Sequence, residues 1–157
     1  MADELIRRWH QPNEVTRFKK QYISNDDLRA LVADQLRGKF DQSFQLYLAD
    51  GEYYCPPLTD AQSIINLSAV DRHTWIRDRF DCDDFALVLK SHFAEASYSD
   101  GQRRSSHCFG IVWGMLPGPH AINWMINDDL KLRFIEPQSD QVFFPRQGDK
   151  NIWFMLC

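Results

Sequence analysis

The stretch FDCDDFALVLKSHFAEA, residues 80–96, decides how the chain is expected to fold. Its apolar residues recur at the 3.6-residue period of one helix face. They are Phe85, Ala86, Leu89, Phe93 and Ala94. The spacing predicts a helix from about Cys82 to Ala96, with Cys82 in its first turn.

Upstream of this helix, the pattern predicts two more helices and one ambiguous segment. Ser24 caps a helix that runs along Leu28, Leu31 and Val32 and stops at Gly38. A second short helix is predicted from Thr59 to Val70. Residues 40–49 between them fit a strand or a short helix, closed by an Asp-Gly turn.

Downstream of the helix the periodicity changes to short aromatic and β-branched runs, separated by Pro, Gly, Asn and Asp. The predicted strands are Cys108–Met115, His120–Ile126, Lys131–Ile135, Gln141–Phe144 and Ile152–Leu156. Helices followed by strands predict an α+β fold class, with N-terminal helices and the Cys82 helix packed on a C-terminal antiparallel sheet. A chain of 157 residues without repeats is expected to be one domain, 1–157.

Composition excludes several classes of protein. A net charge of −4 argues against nucleic acid as a partner. No apolar run is long enough to span a membrane, and the segment Met1–Leu5 has no features of a secretory signal. We therefore expect a cytoplasmic protein with reduced thiols, although export without a leader stays open.

Cys82 is the candidate nucleophile. Unpaired N–H groups and the dipole at a helix N-terminus favour a thiolate, which a neighbouring base can activate further. The alternative is that Cys82 is a small core residue, the commonest fate of a single cysteine.

His120 and Glu136 are the candidate base and its orienting carboxylate. If residues 127–129 form a hairpin loop, Ile126 pairs with Leu130 and His120 lies opposite Glu136. The carboxylate would then fix the imidazole tautomer and leave one ring nitrogen for a thiol. A surface His–Glu pair without function is the alternative.

Three segments carry a family resemblance: Phe80–Ala86, His120–Asn123 and Ile135–Gln138. They resemble papain-like and transglutaminase-like cysteine peptidases, and in order and spacing the C-terminal protease domain of fungal chimeric lectins of the fairy-ring mushroom agglutinin type. The resemblance, which covers about Trp75 to Gln138, implies a Cys82–His120–Glu136 catalytic triad. It also implies activation by calcium or manganese. The β-trefoil sugar-binding domain of those lectins is missing from this sequence, so their glycan targeting does not carry over.

The remaining site predictions concern the acids near Cys82 and two neighbours. Four acids either cap the helix or bind a hard cation that offsets their repulsion of a thiolate. They are Asp78, Asp81, Asp83 and Asp84. Trp75 occupies the segment where papain-like enzymes place an oxyanion-hole donor, or it belongs to the core. Asn123 is predicted to contact substrate, or to face solvent.

Together these features predict a cysteine hydrolase, a thiol protease that cleaves protein or peptide substrates through an acyl-enzyme on Cys82. Two alternatives share its chemistry, a peptidoglycan amidase or endopeptidase and a transamidase. A third, from another class, is a catalytically silent binding module. The oligomeric state stays open.

Overall fold

The structure, a computed structural model, describes residues 21–157. The predicted absence of a signal at Met1–Leu5 and the first part of the predicted domain 1–157 lie outside those residues. None of the described helices is both long and apolar enough to cross a bilayer.

Two sheets organise the described residues. Their strands are β1 (Tyr22–Ser24), β2 (Phe40–Tyr47), β3 (Glu52–Tyr54), β4 (Phe109–Met115), β5 (Pro119–Ile126), β6 (Leu132–Glu136), β7 (Gln141–Phe143) and β8 (Lys150–Leu156). The small sheet pairs β1 with β3, and the central sheet has the order β2-β8-β4-β5-β6-β7. Every pair is antiparallel except β2 with β8, which is parallel.

Three α-helices accompany the sheets, in agreement with the predicted helix positions. They are α1 (Asn25–Gln35), α2 (Leu58–Leu67) and α3 (Cys82–Ser99), and a 3₁₀ helix covers Val70–Arg72. The cap of α1 is as predicted, because the Ser24 hydroxyl accepts the Asp27 N–H at 3.2 Å. Each helix begins directly after a capping residue or a proline, at the end of an extended segment.

Both faces of the central sheet are covered, so the domain has two cores. Leu28, Val32 and Leu36 of the α1 segment lie in the core that includes Val112, Ile122 and Trp124. On the opposite side, Phe85, Leu89 and Phe93 of α3 pack with Phe109, Met125 and Ile135. Alternation along β5 sends Ile122 and Trp124 to one core and Met125 to the other. Helix α3 is thereby held directly over β4 and β5.

The predicted fold class, a papain-like/transglutaminase-like α+β arrangement with helices first and an antiparallel sheet last, is wrong. The described residues contain eight strands and three α-helices, and three of the strands precede α2. Strand β2 enters the central sheet in parallel with β8, so the sheet is mixed and drawn from both ends of the described chain. Local periodicity left residues 40–49 ambiguous because their strand partner is far away in sequence.

The hairpin between β5 and β6 is longer than predicted. Ile126 pairs with Leu132 rather than with Leu130, so Glu136 is not directly opposite His120. Leu130 adopts a positive φ of 57° in the loop, and its N–H bonds to the carbonyl of Asn127 at 2.8 Å. A register shift of two residues keeps every side chain on its original face. Glu136 therefore stays on the same side of the sheet as His120.

Candidate functional site

A chain of carboxylate-to-backbone bonds fixes the start of α3. The Asp84 carboxylate accepts the Asp81 N–H at 3.1 Å, and the Asp81 carboxylate accepts the Asp78 N–H at 3.0 Å. Asp78 itself has a positive φ of 55°, which turns the chain back sharply before the helix. Cys82 is the first residue of α3 as a direct consequence of this cap.

The Cys82 thiol is half-buried between the helix start and β5. Burial raises the pKa of this thiol, and the carboxylates of Asp81 and Asp83 raise it further. The backbone N–H of Ala121 bonds to the sulfur and acts in the opposite direction. The net effect keeps the thiol protonated, although a helix N-terminus by itself favours the thiolate.

His120 and Glu136 form a close pair. His120 Nε2 lies 2.6 Å from Glu136 Oε2, and each side chain is less than a quarter exposed. Burial disfavours the charged carboxylate, but bonds from His120 and from the Gln138 N–H hold the pKa of Glu136 below its usual 4.5. In the neutral ring, Nε2 donates to Glu136 and Nδ1 carries the lone pair.

The thiol and the imidazole are connected through the backbone of β5. Ala121, which contacts the Cys82 sulfur, directly follows His120 on β5. Within residues 21–157, however, no hydrogen bond joins the Cys82 sulfur to the His120 ring. The carboxylate–imidazole contact is therefore present, whereas the thiol–imidazole bond that a nucleophile–base pair requires is not made.

The four acids of the predicted cluster have different roles. Asp81, Cys82 and Asp83 bring two carboxylate oxygens and a sulfur within 4.8 Å of one another. A hydrogen bond between the two carboxyl groups is the main reason why the pKa of Asp83 is raised and that of Asp81 is lowered. Asp84 is occupied as part of the cap, and Asp78 contributes its backbone N–H.

Trp75 and Asn123 lie in opposite environments. The Trp75 side chain is 50% exposed, next to the tight turn that Ile76 and Phe80 close with two backbone bonds. Asn123 is fully buried, and its amide donates to the carbonyls of Ala86 at 2.9 Å and Gly110 at 3.1 Å. This burial speaks against the predicted substrate contact and makes Asn123 an anchor between α3 and the sheet.

Two backbone groups at the site were not predicted. The Ala121 N–H reaches the Cys82 sulfur, and the Gln138 N–H donates to Glu136 Oε1 at 3.1 Å. Backbone amides leave no signal in residue types, so only the three-dimensional arrangement reveals them.

The sequence and fold of the chain are similar to those of known proteins. Residues 53–142, more than half of the chain, match the family model described as Agglutinin C-terminal. The fold is similar to a structure solved as "PSL1a-E64 complex", with 26% identity, a TM-score of 0.78, and coverage of 88% of this chain and 51% of that chain. It is also similar to Polyporus squamosus lectin bound to the human-type influenza-binding epitope Neu5Acα2-6Galβ1-4GlcNAc. That match has 26% identity, a TM-score of 0.75, and coverage of 88% of this chain and 50% of that chain.

This chain spans about half the length of the chains in those two structures. No curated protein sequence matches it.

These comparisons contradict the recognition of the chain as a papain-like or transglutaminase-like cysteine peptidase. The family is named for an agglutinin, and the second neighbour is a lectin bound to a sugar epitope. The same findings overturn the description as a hydrolase, a thiol protease with a catalytic triad, and they agree with the correction of the fold class. The chain belongs to the Agglutinin C-terminal family.

Proposed function

We propose that the chain is a catalytically silent binding module, with its ligand site at the start of α3. The site consists of Asp81, Cys82 and Asp83, and the backbone N–H of Ala121, the residue after His120, contacts its thiol. The observation that carries the proposal is the state of the thiol. Burial and two carboxylates keep it protonated, and no hydrogen bond links it to the imidazole. Such a group serves better as a ligand contact than as a nucleophile.

We further propose that a divalent cation, calcium or manganese, loads this site. The two carboxylates lie close enough to share a proton, and a cation would replace that proton with a stronger bridge. Carboxylate oxygens suit both ions. When bound, the ion would supply positive charge and open coordination positions.

The ligand class that fits these open positions is an oligosaccharide. Hydroxyl oxygens are hard ligands of the kind calcium and manganese prefer. The half-exposed Trp75 lies seven residues before Cys82 and offers an aromatic face that a sugar ring can cover. The epitope Neu5Acα2-6Galβ1-4GlcNAc, bound by the similar lectin, is the first ligand to test.

Calorimetric titration with this trisaccharide tests the ligand. We expect binding in millimolar calcium or manganese, at least a tenfold loss in EDTA, and a similar loss in Asp83→Asn. The control is Asp128→Asn, an exposed acid away from the site, which should bind as the parent does. Equal binding by Asp83→Asn and the parent, or no binding with either ion, would reject this site.

The catalytic silence is tested separately. The protein is incubated with a peptide library, with calcium or manganese and then with EDTA, and the products are read by mass spectrometry. The protein is also incubated with E64, the compound in the first similar structure, and its intact mass is recorded. We expect no new peptide termini and no adduct. Cleavage that disappears in Cys82→Ala would show that the thiol is a nucleophile and would overturn the proposal.

A further inference from the structure

Three buried cysteines meet in one core, away from the site at α3. Cys55 directly follows β3, Cys108 directly precedes β4, and Cys157 directly follows β8. All three are in reduced form and belong to the core under α1. None of them contributes to the site around Cys82.

Strand pairing brings these thiols to the same face. Ile111 pairs with Leu156 in antiparallel register, which sets Cys157 opposite Gly110 and diagonal to Cys108. A tight turn at Cys108, closed by the Phe109 N–H and the His107 carbonyl at 2.8 Å, bends the chain there. The Cys157 sulfur lies 4.0 Å from the same His107 carbonyl. The Cys157 and Cys55 thiols both lie near enough to the Cys108 thiol to raise its pKa.

The two ends of the Cys108–Cys157 contact differ in their surroundings. The Lys90 ammonium lies near Cys157 and donates to the Phe109 carbonyl at 2.7 Å. Burial disfavours the Cys157 thiolate, but the Cys108 thiol, Lys90 and the Phe109 N–H together hold the pKa of Cys157 below its usual value. The pKa of Cys108 is instead well raised, chiefly by burial. Cys157 therefore carries the more thiolate character of the two.

We propose that Cys157 and Cys108 form a peroxide-oxidisable pair that closes into a disulfide. The Cys157 thiolate attacks hydrogen peroxide, so that an S–O bond forms, the O–O bond breaks and hydroxide leaves to become water. The Cys108 sulfur then attacks the Cys157 sulfenic acid, so that the S–S bond forms, the S–O bond breaks and a second water leaves with the Cys108 proton. The two thiols together lose two electrons to the peroxide.

Solvent exposure determines which oxidant can enter and which thiol it reaches first. Cys157 is 7% exposed to solvent, whereas Cys55 is 1% exposed and Cys108 is fully buried. A small oxidant is thus expected to reach Cys157 first. The bond would join the end of β8 to the residue that precedes β4, its neighbour in the central sheet.

The experiment uses the full chain carrying Cys82→Ser, because the half-buried Cys82 would otherwise react with the oxidant. The folded protein is treated with hydrogen peroxide, denatured in an alkylating reagent, digested without reduction and mapped by mass spectrometry. We expect a peptide pair joined through Cys108 and Cys157, full alkylation of Cys55, and loss of the link after a reducing agent. Adding Cys55→Ser should leave the link intact, and adding Cys108→Ser should abolish it.

Three results would overturn the pair. They are a link between Cys55 and Cys108, over-oxidation of Cys157 without any link, and thiols that stay reduced until the protein unfolds. The map of the Cys82→Ser protein decides among these results by itself, so the test stands even if Cys108→Ser fails to fold.

Discussion

His107 shows how a single buried ring can be held in one tautomer. Its Nε2 faces the Arg103 guanidinium, which only donates hydrogen bonds, so Nε2 must carry the lone pair. Nδ1 therefore holds the proton and donates to the Ser97 hydroxyl at 2.5 Å and the Phe93 carbonyl at 3.2 Å. Burial, and then the Arg103 charge, lower the pKa of His107 from 6.5 to about 4.

This lowered pKa predicts a pH-dependent loss of stability. Between about pH 4 and 6.5 the unfolded chain binds a proton at His107 and the folded chain does not. The contribution of His107 to the free energy of unfolding is therefore fully present above pH 6.5. It decreases as the pH falls and levels off below about pH 4, a total change of about 3 kcal/mol. Urea unfolding from pH 4 to 7 should show this slope in the parent and a flatter one in His107→Gln. The exposed control, His73→Gln, should keep the parental slope, and an equally steep His107→Gln would refute the assignment.

The contact between His120 and Glu136 could be predicted from the sequence, whereas the surroundings of the Cys82 thiol could not. Side chains two residues out of register remain on one face, so the contact survived an error in the predicted hairpin. The state of Cys82 depends on burial, on two carboxylates and on a backbone N–H from another element. None of these is visible in residue types along the chain.

Among the elements, α3 is the one whose placement determines the site. Its apolar stripe predicted the helix, and its cap predicted the first residue. Its distance from β5 is set by Asn123, whose amide donates to a helix carbonyl and a strand carbonyl together. The mixed sheet was not predictable in the same way, because the pairing of β2 with β8 depends on contacts remote in sequence.

Asn123→Asp tests this anchor. The change replaces an amide donor by a carboxylate that faces the carbonyl oxygens of Ala86 and Gly110 in a fully buried position. We expect a loss of about 3 kcal/mol or more in the free energy of unfolding. The control is Asn127→Asp, also fully buried, which loses a donation to the Pro56 carbonyl at 3.1 Å but places its charge against Arg133 Nη1, at the 2.9 Å contact now made by the amide oxygen. Similar losses in the two variants, measured by urea unfolding, would show that Asn123 fills space only.

Across the whole molecule, one glycine lets three strands of the central sheet lock together. The Trp124 indole lies over Gly110 and donates to the carbonyls of Ile111 on β4 and Leu156 on β8, each at 3.1 Å. A β-carbon at position 110 would collide with the Leu156 carbonyl oxygen and with the indole. Strands β5, β4 and β8 can therefore share this bond only when residue 110 has no side chain.

Gly110→Ala should destabilise the whole domain by about 3 kcal/mol or more, because backbone and a buried indole cannot yield together. Gly101→Ala, which places its methyl group in open space, should change the unfolding midpoint little. Near-ultraviolet circular dichroism would report the loss of the Trp124 environment. A Gly110→Ala protein with parental stability and signal would contradict the locking role.

The parallel pairing of β2 with β8 also sets the order of events during synthesis. Strand β8 lies between β2 and β4, so β2 has no partner in the central sheet and β4 has only β5 until residues 150–156 have left the ribosome. Pairing across so much intervening chain is slow, since closing a long loop costs entropy before any contact forms. Strand β2 thus stays unpaired from its own synthesis until β8 is complete, and β4 has an open edge over the shorter interval between Met115 and Lys150. The central sheet is completed only when β8 pairs with β2 and β4. Chaperones that bind exposed strand edges would therefore bind the chain before that step.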